Sequence, residues 1–546
     1  MALGVVSRRH GARLGVVVDE VPDAYHTAEL NLDRDAPETT FTRGDRAIER
    51  LRNPERGTAM VRLARVLALD ARPEFETEST AAPLDSGLNE PQLSAVRRAL
   101  SALDVALVLG PPGTGKTRTL VEIIRQAALT GRVLVTAASN VAVDTVAERL
   151  VAAKVALVRI GHPARVLPEV EAYTLDAQLE ASGALDLARE WQREAAALRH
   201  KIAARSSRGT LDRDERRELL SEMRRLQTDA RHARKAQELA IVARSRVICA
   251  TAAGADAEVL EDQHFDWVVL DEATQAVDPI ALVALLRGAR VVLAGDPHQL
   301  PPTVIDPQAL QQGLGSTFFE RLFATHGEHV TRLLTVQHRM HAAIMAFPSQ
   351  ATYGNQLVAH PSVASHTLDG LDVAPDPLRE APFVLIDTVG KGFDEVQSEE
   401  DPSTRNPDQA DRTVAEVRRL VSRGLSPTLV GLITPYDGQV RLLRERLGDL
   451  VALGLEVASI DGFQGREKEA IVVDLVRSNP EGRIGFLADA RRLNVALTRA
   501  RRLLLVVGDS GTLGGKHSTP YLDALLAHAD ATGATLSAWA DDAEPV

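Results

Sequence analysis

Three short stretches of this 546-residue chain bring together residue types that bind and cleave phosphate anhydrides. The first is Gly110-Pro111-Pro112-Gly113-Thr114-Gly115-Lys116-Thr117, a glycine-rich turn ending in Lys-Thr, the pattern of a phosphate-binding loop. Glycines let successive backbone N–H groups curl around phosphate oxygens, and a following helix adds free donors and its positive dipole end. Gly113, Thr114 and Gly115 form the cradle. Lys116 suits the β- and γ-phosphates of ATP, and the Thr117 hydroxyl suits Mg²⁺. The second stretch, Val268-Val269-Leu270-Asp271-Glu272-Ala273-Thr274-Gln275, is an apolar run that ends in adjacent carboxylates. Asp271 suits the magnesium shell, and Glu272 suits activation of an attacking water. In the third, Val291 to Pro302, a strand-like run leads into Gly295-Asp296-Pro297-His298-Gln299, where Gln299 can sense a γ-phosphate.

Two arginines lie far downstream, each inside a short motif. Arg339 sits in Val336-Gln337-His338-Arg339-Met340 and Arg499 in Val495-Ala496-Leu497-Thr498-Arg499-Ala500-Arg501. Arginines supplied across an interface stabilise charge on a transferring phosphoryl group. Taken singly, each is equally well read as a surface ion-pair partner.

Taken together and in this order, the segments resemble the helicase motifs of superfamily 1B, in its Upf-like group. Ser459-Ile460-Asp461-Gly462-Phe463-Gln464-Gly465-Arg466-Glu467-Lys468-Glu469-Ala470 is similar to that family's fifth motif, and Leu88-Asn89 with Gln92 to its adenine-reading motif. The stretches 137–144, 159–165 and 486–492 also resemble the group, and the likeness runs from about residue 1 to about residue 512. It implies two tandem RecA-like domains with ATP between them. Lys116, Gln299 and Glu272 would serve hydrolysis, with Arg339 and Arg499 as two arginine fingers. Gln92, His338 and Glu467 would join the phosphate loop in holding the nucleotide. Ser139, Asn140, Thr251 and the segment Thr434-Pro435-Tyr436 would border a path for single-stranded or forked DNA and/or RNA, read without regard to sequence. Each such Ser, Thr or Asn is as readily a helix cap or turn residue. Travel from 5′ to 3′ is implied by the superfamily alone. One departure concerns His338, which stands where the family commonly has a tyrosine that stacks on adenine. The zinc-binding and accessory domains of many relatives are not expected within these residues.

These residues need strands that end at one edge and helices that cover them. Val105–Leu109 reads as a strand before the phosphate loop, and a helical pattern follows it. Residues 88–165 plus 244–335 read as a first RecA-like α/β unit, interrupted by a helical hairpin insertion over 166–243. Leu187, Trp191, Leu198 and Ile202 recur there at helical spacing, as do Leu219, Met223, Leu226, Ala230 and Ala233. Its Arg216, Arg217, Arg224 and Arg225 read as a solvated face rather than a nucleic-acid contact. Residues 336–540 read as a second such unit, with parallel strands alternating with helices. The segment 1–45 reads as a partial β-barrel-like piece, 46–87 as a helical stalk and linker, Lys391 to Asp408 as a mobile acidic loop, and 541–546 as a disordered tail.

Composition bounds the rest. A hydrophobic share of 45% supports several ordinary cores. Net charge of −12 argues against a protein that coats DNA with a basic surface, though a local channel remains compatible with it. The single cysteine, Cys249, excludes a disulfide framework and a Cys-rich metal site, and its apolar neighbours make it a core residue. No apolar run approaches membrane-spanning length, and no signal pattern opens the chain, so a cytoplasmic location is expected. The expected function is an ATP-dependent helicase; the alternative is an ATP-gated nucleic-acid-binding switch that does not separate strands.

Overall fold

The computed structural model describes residues 4–10, 13–18, 38–55, 58–78, 82–161, 166–183, 185–376, 381–397 and 401–539. At the N-terminal end, β1 (Gly4–His10) and β2 (Arg13–Val18) pair as an antiparallel hairpin. β3 (Val105–Leu109), β4 (Val133–Ala137), β5 (Leu157–Ile160), β6 (Val247–Thr251), β7 (Phe265–Asp271), β8 (Gly288–Gly295) and β9 (Thr331–Leu333) form one sheet in the order β5-β6-β4-β7-β8-β3-β9. β10 (Val336–Gln337) and β11 (Val358–Ala359) make a short parallel pair. β12 (Phe383–Asp387), β13 (Val430–Thr434), β14 (Glu456–Ser459), β15 (Lys468–Asp474), β16 (Ala500–Gly508) and β17 (Thr535–Ser537) form the second large sheet, ordered β14-β13-β15-β16-β12-β17. Every pairing in both large sheets is parallel. The two tandem parallel-sheet units expected from the alternation of strands and helices are therefore present.

Each sheet is buried on both faces. Val105, Leu107 and Leu109 of β3 enter one core, while Ala106 and Val108 enter the core on the other side. Val384 and Ile386 of β12 likewise part from Phe383 and Leu385. A parallel strand covered on both faces has to be apolar at consecutive positions, which explains the unbroken runs in the sequence. Cys249 of β6 is fully buried among them, and burial pushes its thiol up to about 12. Because all strands of a sheet point the same way, the loops that follow them emerge at one edge, where ligands of open α/β sheets bind. The loops after β3, β4, β7 and β8 carry the phosphate loop, Ser139, Glu272 and Gln299 respectively, and Thr251 is the last residue of β6 at the same edge.

The insertion contains two long helices, Asp186–Ser207 and Arg213–Arg244, packed together as a hairpin. Asp212 caps the second by accepting from the N–H groups of Asp214 and Glu215. Arg216, Arg217, Arg224 and Arg225 are exposed. The side chain of Leu187 lies outside the described residues.

Three expectations need correction. Residues 38–45 are not part of a β piece, because the helix Glu38–Arg52 begins there and packs on the helix Asp278–Leu285. Its docking face, Ala47, Ile48 and Leu51, joins the core of the first unit. Residues 73–78 and 82–87 are strapped to that unit rather than free. Phe75 bridges to Ala102, and the N–H groups of Leu84 and Asp85 donate to the buried Glu122 carboxylate at 2.6 and 3.1 Å. The described parts of the acidic segment after Lys391 are also tied down: Val396 pairs with Arg405, and the fully buried Asn406 donates to Phe393 O and Val476 O. In each case long-range hydrogen bonding or packing overrides a composition typical of loops. The parts of these expectations that fall on residues 19–37, 79–81, 162–165, 398–400 and 541–546 lie outside the described residues.

Candidate nucleotide and nucleic-acid sites

The phosphate loop owes its shape to two residues in the left-handed region, Gly113 at φ 77° and Gly115 at φ 79°. A side chain at either would also collide: a Cβ at Gly113 would lie 2.6 Å from Arg339 Cβ, and one at Gly115 would lie 2.5 Å from Gln92 Nε2. Lys116 opens the helix Lys116–Thr130 and turns its ammonium back toward the end of β7. Its Nζ lies 3.0 Å from Asp271 Oδ1 and 2.7 Å from Glu272 Oε1. Burial disfavours the ammonium, but the two carboxylates, Asp271 foremost, outweigh it and raise the pKa of Lys116. Glu272 itself is held at φ 52°, a conformation that costs a non-glycine residue on the order of 1 kcal/mol and clusters at functional sites. Its second oxygen accepts from Gln275 Nε2 at 2.7 Å.

The donor chemistry fits Mg²⁺. The Thr117 hydroxyl and the Asp271 carboxylate are hard oxygen ligands beside a phosphate cradle. Among the described residues no group of three or more His, Cys, Asp or Glu could cage a metal. A magnesium ion here would take its remaining ligands from phosphates and water, as it usually does.

The second sheet sends its arginines to this cleft. Arg339 donates from Nε to Glu467 and from Nη1 to Thr498 O at 3.0 Å. Arg499 is 3% exposed, and its Nη2 donates to Gln299 Oε1 of the first unit at 2.9 Å. No carboxylate among the described residues lies within ion-pair distance of it. Burial, then the neighbouring Arg339 cation, lowers the pKa of Arg499. A buried guanidinium short of anions is primed for a phosphate. Next to it, the His338 N–H donates to Gly113 O at 2.8 Å, which docks this segment directly on the phosphate loop. The His338 ring stacks on His360 at 4.3 Å, and burial, followed by His360 and Arg118, lowers its pKa, leaving a neutral ring at pH 7. Gln92 is buried. It completes a capping box with Asn89, and its Nε2 donates to Thr114 O at 3.0 Å, so it braces the loop.

Lys116, Asp271, Glu272, Gln299, Arg339, Arg499 and Glu467 thus converge on one cleft. Sequence reasoning missed the polar cluster behind them. Asp296 accepts from Tyr353 Oη at 2.7 Å, and Tyr353 accepts from Asn494 Nδ2 at 3.0 Å. No local signal marks Tyr353, since its partners are distant in sequence.

The expected strand contacts occupy loops at the ends of β4, β6 and β13, and their side chains are already engaged. Ser139 caps its helix by accepting from Ala142 N–H at 3.2 Å, though the residue stays exposed. Asn140 Oδ1 accepts from the buried Arg159 at 2.8 Å, and Thr251 Oγ1 accepts from Gly254 N–H at 3.0 Å. Pro435 is half-buried. The Tyr436 hydroxyl is engaged within its own unit: the residue is buried and accepts from Arg477 Nη1 at 3.0 Å and Phe486 N–H at 3.2 Å. The aromatic face open to solvent beside it is Phe486, 53% exposed.

Comparison with known proteins adds an independent line. A family model described as an AAA domain matches residues 87–307, and a second, also described as an AAA domain, matches residues 314–511. The chain is 38% identical over 528 residues to DNA-binding protein SMUBP-2 of Mesocricetus auratus, covering 94% of this chain and 52% of that protein. It is 38% identical over 433 residues to DNA polymerase alpha-associated DNA helicase A of Schizosaccharomyces pombe, covering 78% and 64%. An uncharacterized ATP-dependent helicase of Methanocaldococcus jannaschii matches at 35% identity over 476 residues, covering 79% of this chain and 69% of that protein. The chain spans about half the length of the SMUBP-2 relatives it matches.

Proposed function

Since the chain belongs to the Upf-like group of superfamily 1B helicases, we propose that it hydrolyses ATP in the cleft between its two sheets and uses the cycle to translocate along and unwind nucleic acid. The observation that carries this reading is Arg499, a buried cation from the second unit that reaches across the cleft and meets only the amide of Gln299 there. A switch that merely binds nucleotide on its phosphate loop has no use for such a group. Transition-state charge on a transferring phosphoryl group does.

In this reading ATP phosphates sit against the N–H groups of the loop and draw Lys116 from its carboxylates. Thr117 and Asp271 would hold Mg²⁺, which would supply charge neutralisation on the phosphate oxygens. Glu272, released from Lys116, accepts a proton from the attacking water. Arg499 and Arg339 bring positive charge from the second unit. Because phosphate is then the shared ligand of both units, its presence closes the cleft and its release opens it. A strand lying across the loops of both sheets is gripped and passed on, in the 5′-to-3′ direction. Single-stranded DNA or RNA is the proposed track, held by backbone and phosphate contacts without base reading.

The test is ATPase activity with and without single-stranded DNA or RNA, followed by forked duplexes with one tail. Stimulation by single strands and opening only of the fork with a 5′ tail is the expected result. Hydrolysis indifferent to both nucleic acids would overturn the motor and leave a nucleotide switch. Opening from a 3′ tail alone would overturn the polarity.

A further inference from the structure

Resting on the ATPase reading above, we propose that Tyr353 is a positioning residue that sets the Gln299 amide and, through it, Arg499. The argument starts at Asp296. It follows β8, is 1% exposed, and has no Lys or Arg within ion-pair distance among the described residues. A buried carboxylate without a cation has to be satisfied by hydrogen bonds. Three reach it: His298 N–H to Oδ1 at 3.0 Å, Gln299 Nε2 to Oδ2 at 2.8 Å, and the Tyr353 hydroxyl to Oδ2 at 2.7 Å. Two come from the first unit. The third comes from the second, at the end of the helix Ala342–Thr352.

The consequence falls on Gln299. With its amino end held by Asp296, its carbonyl end is the one presented to Arg499, where it accepts from Nη2 at 2.9 Å. A flipped amide would set N–H against N–H on the guanidinium and would leave Asp296 facing an oxygen. Asp296 therefore fixes the sense of the amide, and Tyr353 fixes Asp296. Tyr353 is itself held from two sides. Its ring meets His298 edge-on at 5.4 Å, and its hydroxyl accepts from Asn494 Nδ2, which also donates to His298 O at 2.8 Å. Asn494 lies on the helix Ala490–Leu497, which ends two residues before Arg499. The circuit Asp296, Tyr353, Asn494, Arg499, Gln299, whose Asn494–Arg499 step runs along the chain, thus closes on itself and crosses the cleft at two contacts, and the hydrogen bond from Asn494 to His298 O adds a third crossing beside it. At 6% exposure, with its hydroxyl engaged as donor and acceptor, Tyr353 acts through Asp296 and not on the nucleotide.

Tyr353→Phe keeps the ring and removes the hydroxyl. The expected result is a fall in kcat for ATP hydrolysis of about tenfold, with KM and the affinity for a fluorescent ADP analogue within about twofold, as befits loss of one hydrogen bond to a buried charge. The decisive readout is the same change made in Gln299→Ala. If Tyr353 works through that amide, its loss there lowers kcat further by less than about twofold. A second fall of about tenfold in the Gln299→Ala background, or a single variant with unchanged kcat, overturns the proposal. Glu272→Gln run alongside keeps the two readings apart, because undiminished turnover there overturns the assignment of the hydrolytic chemistry and leaves the Tyr353–Gln299 cycle intact as a measurement.

Discussion

The nucleotide cleft and the strand-end surface beside it are built on loops at the same edges of the same sheets, yet their polar side chains are in opposite conditions. In the cleft, Lys116 is shared between two carboxylates, and Arg499 meets an amide instead of an anion. These groups have capacity left for phosphate. On the surface, Ser139, Asn140, Thr251 and Tyr436 each accept a hydrogen bond from their own unit. They shape the backbone. On the proposed function, the difference teaches that hydrolysis is a matter of side chains, whereas the grip on a strand would fall largely to loops, backbone N–H groups and exposed faces such as Phe486. A cleft substitution should therefore remove chemistry and spare the fold, and a surface substitution should do the reverse.

The strongest way to break this contrast is Arg499→Ala. Hydrolysis should fall by roughly 10³-fold, with ADP affinity nearly unchanged, because the guanidinium acts on charge that develops in the transition state. Steady-state phosphate release and an ADP titration measure the two. Weakened ADP binding with an undiminished rate would place Arg499 among ordinary ligands. Glu272→Gln follows in size. Loss of a general base lowers turnover by about 10²-fold or more, while ATP binding persists. Filter binding of ATP beside phosphate release checks it, and a parental rate would reassign the water-activating role.

Which parts of this arrangement could be read from the sequence follows from how local their causes are. The strands were legible because burial on both faces forces consecutive apolar residues, as in Val105–Leu109. The cleft was legible because phosphate chemistry writes itself in short motifs: Lys116 and Thr117 adjoin the glycines, and Asp271 adjoins Glu272. Tyr353 was not legible, because Asp296 is 57 residues away from it and Asn494 is 141. The helix at residues 38–45 was hidden for a similar reason, since its apolar face is defined by a partner helix more than two hundred residues on. The acidic segment after Lys391 reads as mobile by composition, but Glu395 accepts from Arg477 Nε, Ser478 N–H and Asn479 Nδ2, all supplied by a distant loop.

On the surface side, Tyr436→Phe sharpens the contrast. It withdraws the acceptor of Arg477 Nη1 and Phe486 N–H inside a buried site, which should cost about 1–2 kcal/mol of stability. Urea unfolding reads that loss, and anisotropy of a labelled oligonucleotide should show strand affinity within about twofold of the parent. A stable variant that binds strands weakly would return the hydroxyl to the nucleic-acid path.

Ser139 gives the smallest effect and the finest distinction, because two replacements separate its possible roles. Its oxygen accepts from Ala142 N–H at the start of the helix Asn140–Ala152, and the residue is exposed. Alanine removes both the cap and the hydroxyl, at a cost of about 1 kcal/mol, whereas glycine at an N-cap costs only a few tenths because the freed backbone is readily solvated there. If Ser139 serves the helix, Ser139→Ala is the less stable variant and neither replacement changes strand affinity by more than about twofold. If the hydroxyl holds a phosphate, both replacements weaken binding equally whatever their stability, and the salt dependence stays unchanged because a neutral hydroxyl displaces no counterion. The observed cap hydrogen bond favours the first outcome. The second would show that a side chain engaged within its own unit can still serve the track, and would remove the contrast between the two regions at this residue.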